Sequence, residues 1–113
     1  MNAKALLDQL VEIQATRSIP REAMKQRIAR AFPKLWMKDS EEFDPGTRGA
    51  IWTTAEDADA TASDGNRLFD AYAEDFKETT YVLGVHRQML ALLDAGGWSA
   101  EFYDPGTVLL FPG

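Results

Sequence analysis

A chain of 113 residues that is 45% apolar and carries three Trp, three Tyr and six Phe has enough apolar surface for one core, so 1–113 reads as a single globular domain. With no cysteine it has no disulfide framework, no thiolate nucleophile and no cysteine-based zinc site. A net charge of −6 sets the chain as a whole against nucleic acid and anionic membrane, but the charge is sorted: residues 1–40 sum to +4 and residues 41–113 to −10.

The first forty residues predict a helical hairpin. Ala3, Leu6, Leu7, Leu10 and Val11 recur at helical spacing, and Asn2 suits an N-cap. Thr16-Arg17-Ser18-Ile19 is a turn, and Pro20 suits the first turn of a second helix. Met24, Ile28, Ala31 and Phe32 form its apolar face, and Pro33 ends it. Its basic residues do not make one stripe: Lys25 lies on one flank of that face, Arg27 and Arg30 on the other. With Arg21 and Lys34 they form a loose basic patch whose aliphatic stems skirt a core.

Leu35-Trp36-Met37 is an apolar connector. Asp44-Pro45-Gly46-Thr47 is a turn, because Pro presets φ and Gly accepts positive φ at the next position. Ala50–Thr54 reads as a short strand, followed by a small, acidic, aperiodic loop over 55–65. Asp57, Asp59 and Thr61 match three positions of a calcium loop. Ala62 then stands where Gly is needed and Leu68 where a bidentate Glu belongs, so no metal is expected.

A third helix is predicted over Arg67–Glu78. Leu68, Phe69, Tyr72 and Phe76 share one arc, and Asp70, Glu74, Asp75 and Glu78 share the opposite one. A fourth helix runs over Tyr81–Ala95 and stops at Gly96-Gly97, with His86 inside its apolar arc as a buried structural residue. Trp98–Tyr103 alternates, Asp104-Pro105-Gly106-Thr107 turns with Gly106 at positive φ, and Val108–Phe111 returns as a hairpin. The four-residue turn occurs twice, each time after an aromatic, Phe43 and Tyr103; the flanks otherwise differ, which favours reuse of turn chemistry over an internal repeat. Four successive apolar residues, Val108–Phe111, require cover on both faces, from helices on one side and a loop or partner on the other. The expected class is α+β: four helices packed on a small antiparallel sheet with a C-terminal β-hairpin.

No catalytic pattern emerges. Ser99, His86 and Asp104 could be written as a triad, but no nucleophile elbow surrounds Ser99, and no glycine-rich loop cradles a phosphate. A non-enzymatic chain without a cofactor is expected. The candidate binding surface is the acidic face of the third helix, Asp70, Glu74, Asp75 and Glu78, bordered by Glu56, Asp57 and Asp59, with Trp36 and Tyr103 as aromatic anchors. The plainer alternative is an ordinary solvated face. The profile suits an accessory or inhibitory protein of a phage or mobile element, of the anti-CRISPR type, whose carboxylates replace phosphates on a basic partner. The alternative is a small nucleic-acid or ribonucleoprotein accessory that uses the patch Arg21, Lys25, Arg27, Arg30 and Lys34. The longest fully apolar run, Met89–Leu93, is far below the ~20 residues that span a bilayer, and the N-terminal stretch lacks an uninterrupted apolar segment, so the expected compartment is the cytoplasm.

Overall fold

The computed structural model describes residues 18–57, 59–73 and 80–113. The expected first helix, Ala3–Val11, lies outside them, as do Glu74, Asp75 and Glu78.

Helix α1, Arg21–Ala31, forms where the sequence places it. Pro20 is its N-cap, a position where a missing N–H leaves no hydrogen bond unmade. Met24 and Ile28, one turn apart, are fully buried, and Phe32 buries its ring as the chain leaves the helix. Each such aliphatic burial is worth roughly 1.5–3 kcal/mol. The chain then enters strand β1, Met37–Asp39, a single 3-10 turn over Ser40–Glu42, and strand β2, Ile51–Thr54. Ser40 is buried and ties this corner together: its Oγ donates to the Thr47 carbonyl at 2.6 Å and accepts from the Ala50 N–H at 3.2 Å.

The expected four helices on a small sheet are overturned. Among the described residues there are two α-helices and six strands, in sheets of four and two. The predicted third helix is absent over 67–73. Thr61 bridges Arg67 and Phe69 bridges Val85, so this stretch is extended. The His86 N–H donates to the Leu68 carbonyl at 2.8 Å and the Asp70 N–H to the Gly84 carbonyl at 2.7 Å. Adjacent Leu68 and Phe69 are both buried, as an extended segment between two layers permits.

The predicted fourth helix is shorter than expected. Its first part is a hairpin of strands β3, Tyr81–Val82, and β4, Val85–His86. Leu83 and Gly84 make the turn, both at positive φ, 49° and 81°. That is the two-residue turn whose twist suits a hairpin. Helix α2 begins only at Arg87 and ends at Ala95, before Gly96-Gly97. His86 is its N-cap, with the ring accepting from the Gln88 N–H.

The C-terminal hairpin is present as strands β5, Trp98–Asp104, and β6, Thr107–Pro112, with a register shift between Phe102 and Asp104. Strand order is β1-β2-β6-β5, antiparallel throughout. Gly106 does not adopt positive φ, contrary to expectation; instead the Glu56 carboxylate lies against it, where a Cβ would meet Oε1 at 2.6 Å.

The inner face of the sheet presents Ile51, Thr53, Val108 and Leu110, all fully buried, with Trp98. Met24 and Ile28 of α1 and Met89 and Leu93 of α2 join them in one core. Ion pairs fix how α1 sits on β1 and the 3-10 turn after it: Arg21 Nη1 is 2.6 Å from Glu41 Oε1 in the turn, and Lys25 Nζ is 3.1 Å from Asp39 Oδ1 in the strand. These groups are partly exposed, so solvent screens each pair and leaves it weaker than one buried aliphatic residue. They set orientation, while burial holds the helix down.

The hydrogen bond from Arg21 holds the Glu41 carboxyl at about 2, below its ordinary 4.5. The Asn66 N–H, and secondarily His86, hold Asp64 at about 2, below its ordinary 3.8. A carboxylate depressed in the folded state stabilises the fold fully above its unfolded value, and that contribution disappears as pH falls through the folded value. The thermal midpoint should therefore fall between pH 4.5 and about 2. In Glu41→Gln the fall should be shallower. A wild-type slope in that variant would show that the Arg21–Glu41 pair has no part in acid stability.

Candidate functional site

The face of the sheet turned away from the two helices carries a row of aromatic rings. Alternation along the strands sends Trp52 of β2, Leu109 and Phe111 of β6, and Glu101 of β5 to this side. Phe43 stacks on Trp52, with centroids 5.1 Å apart and planes at 25°. Tyr103 leans on Trp52 at 4.9 Å and 48°. Trp36 meets Phe43 edge-on at 5.7 Å. Such aromatic pairs contribute about 0.5–1.5 kcal/mol each beyond area burial, so the row is held in shape. It is nevertheless open: Trp36 is 40% exposed, Phe43 51% and Tyr103 55%.

Local structure explains how the row assembles. Both aromatics that precede the turn Asp-Pro-Gly-Thr contact the Trp52 ring. The turns themselves match: Asp44 Oδ1 accepts from the Gly46 N–H at 3.0 Å, and Asp104 Oδ1 from the Gly106 N–H at 2.9 Å. Each is an Asx turn, which reverses the chain directly after an exposed aromatic. Trp36 is fixed through its carbonyl, which accepts from the buried Thr53 Oγ1 at 2.5 Å.

Charge varies across this face. Register aligns Lys38, Trp52, Leu109 and Glu101 from one sheet edge to the other. Glu101 and Lys38 are exposed, and neither enters an ion pair among the described residues. Glu56 lies against Gly106 in the hairpin turn, three residues beyond Tyr103. Glu56 also lines a cleft of about 300 Å³ with Arg67, Asp70, Tyr72 and Pro105.

The structure thus brings the two predicted anchors, Trp36 and Tyr103, into one row, with Phe43 and Trp52 between them. Of the predicted acids, Glu56 and Asp70 share a cleft. Asp57 Oδ1 caps the Asp59 N–H at 3.0 Å within the loop, and Asp59 is exposed. The helical face that was to unite Asp70 with Glu74, Asp75 and Glu78 is missing at Asp70, which lies in an extended stretch; the other three are outside the described residues. Phe43 and Trp52 were not expected in the site. The signals available were the repeated aromatic-Asp-Pro-Gly-Thr string and the outward position of Trp52 in its strand.

The predicted basic patch divides. Arg21 and Lys25 are half-buried and paired with Asp39, Glu41 and Glu22. Arg27, Arg30 and Lys34 are exposed. The pairing removes two of the five cations from any phosphate track.

His86 is buried, as expected, but as a strand end and N-cap. Its Nδ1 accepts from Gln88, so Nε2 carries the hydrogen donated to Asp64 Oδ2 at 2.9 Å. Ser99 Oγ donates to the Gly113 carbonyl, and Asp104 is occupied in its turn. The conceivable triad is not assembled. Among the described residues no helix is long and apolar enough to cross a membrane. Comparison with family models, curated proteins and solved structures found no match.

Proposed function

We propose that this chain is a non-catalytic protein-interaction domain whose outer sheet face docks on a basic surface of a protein partner. The observation that carries the reading is the exposed row Trp36–Phe43–Trp52–Tyr103, rigid through ring contacts and without cover from either helix. Large aromatics held in fixed rotamers lose little entropy on binding, which is why they dominate interface energetics. The sign of the partner follows from charge. Residues 41–113 sum to −10, and Glu101 and Glu56 stand at the Tyr103 end of the row without ion pairs among the described residues. A protein surface that otherwise holds nucleic acid has the matching charge, which keeps an accessory or inhibitory role within this reading. The nucleic-acid alternative is weaker because Arg21 and Lys25 are already paired.

The test uses Trp36→Ala with Tyr103→Ala. Wild-type chain immobilised on a resin should retain a basic protein from a lysate of its source cells. Retention should fall as the screening length shrinks from about 10 Å at 0.1 M salt toward about 3 Å at 1 M. The double variant should lose retention while still unfolding cooperatively, at a thermal midpoint lowered only by the two lost ring contacts. Equal retention by a folded double variant, or retention that salt does not weaken, overturns the reading.

A further inference from the structure

We infer that the docking surface selects arginine over lysine, with a guanidinium seated on the Tyr103 ring and paired to Glu101. The inference rests on the reading above and names the side chain that the face receives.

Three observations converge on the β5 edge. Tyr103 closes the aromatic row there: its ring is steadied by Trp52 at 4.9 Å, yet more than half of the residue is open to solvent. Glu101 lies two residues earlier on the same strand. Ala100 and Phe102, its neighbours, pack toward the core, so Glu101 faces outward with the row. Its carboxylate has no ion pair among the described residues. Finally, the cross-strand line has polarity. Glu101 stands at the β5 end and Lys38 at the β1 end, with Leu109 and Trp52 between them. Lys38 repels a cation from the Trp36 side, and Glu101 draws it to the Tyr103 side.

The chemistry separates the two basic side chains. A guanidinium is planar and weakly hydrated, so it lies flat on an aromatic ring while its N–H groups, in the same plane, reach a carboxylate at the ring's edge. An ammonium is compact and strongly hydrated, and it gains less from the ring face because it must shed water to approach. Nucleobases also stack on tyrosine, but their phosphates would bring negative charge to Glu101 and Glu56.

The experiment uses two capped peptides of equal charge, hexaarginine and hexalysine, titrated into the intact chain. Binding is followed by NMR through the Tyr103 ring and the Trp36 and Trp52 indole N–H signals. Hexaarginine should shift Tyr103 and Trp52 and bind about threefold tighter or more. Tyr103→Phe should keep that preference, whereas Tyr103→Ala and Glu101→Gln should erase it. Lys38→Glu should tighten both peptides. Equal binding of the two peptides on this face would overturn arginine selection and leave the basic-partner reading standing. If neither peptide moves the outer-face signals, both fall.

Discussion

Gly84→Ala should destabilise the fold by roughly 2–5 kcal/mol, a large share of a typical domain's stability. Two costs add. At φ 81° a side chain meets the left-handed penalty of about 1–2 kcal/mol. A Cβ at this position would also lie 2.8 Å from the Asp70 carbonyl oxygen and 2.7 Å from the Phe102 ring. The oxygen belongs to backbone that is itself bonded, since the Asp70 N–H donates to Gly84. It cannot move aside without breaking the bridge between 67–70 and the β3–β4 hairpin. The adjacent residue should give the opposite sign. Leu83 is 93% exposed at φ 49°, so it carries the strain without the packing. Asn tolerates that conformation, and Leu83→Asn should be neutral or stabilising by about 1 kcal/mol. Denaturant midpoints for both variants test this. A wild-type midpoint for Gly84→Ala would mean that the hairpin does not pack on residue 70 as described.

Trp98→Ala should cost about 3–5 kcal/mol. The side chain is 2% exposed and lies in the core shared by the sheet and both helices. It also forms a polar clip, with its indole N–H donating to the Ile19 carbonyl at 2.8 Å. The Ile19 N–H in turn donates to the Gly96 carbonyl at 2.8 Å, and Ser18 Oγ to the Gly97 carbonyl at 2.8 Å. These bonds hold the start of α1 against the end of α2. Trp98→Phe keeps most of the apolar volume and removes only the donor, so it should cost about 1–2 kcal/mol. The two variants separate packing from the clip. Equal losses would mean that the hydrogen bond, and not the ring, is what Trp98 supplies.

Local signals were legible where one element decides its own conformation. Helix α1 follows from Met24 and Ile28 at one-turn spacing between Pro20 and Pro33. The β5–β6 hairpin follows from alternation around Asp104-Pro105-Gly106-Thr107. The stop of α2 follows from Gly96-Gly97. Where apolar residues fit more than one period, the sequence alone did not decide. Val82 and Val85, three apart, suit a helix face, yet they pair across a two-residue turn. Leu68 and Phe69 suit a helical arc, yet both are buried because backbone at 84–86 offers the partners that an extended chain needs.

The binding surface shows the same division. Composition and charge order established that residues 41–113 are strongly acidic and rich in aromatics, and the sequence singled out Trp36 and Tyr103. It could not place them on one surface. That takes the pairing of Ile51–Thr54 with Thr107–Leu110, segments more than fifty residues apart, which brings Tyr103 to the Trp52 ring that Phe43 stacks on from the β1–β2 connection. Periodicity is a property of neighbouring residues and can be read along a chain. Which face of a strand meets solvent depends on which distant strand completes its hydrogen bonds, and that is settled only when the free energy of the whole core selects one pairing among several.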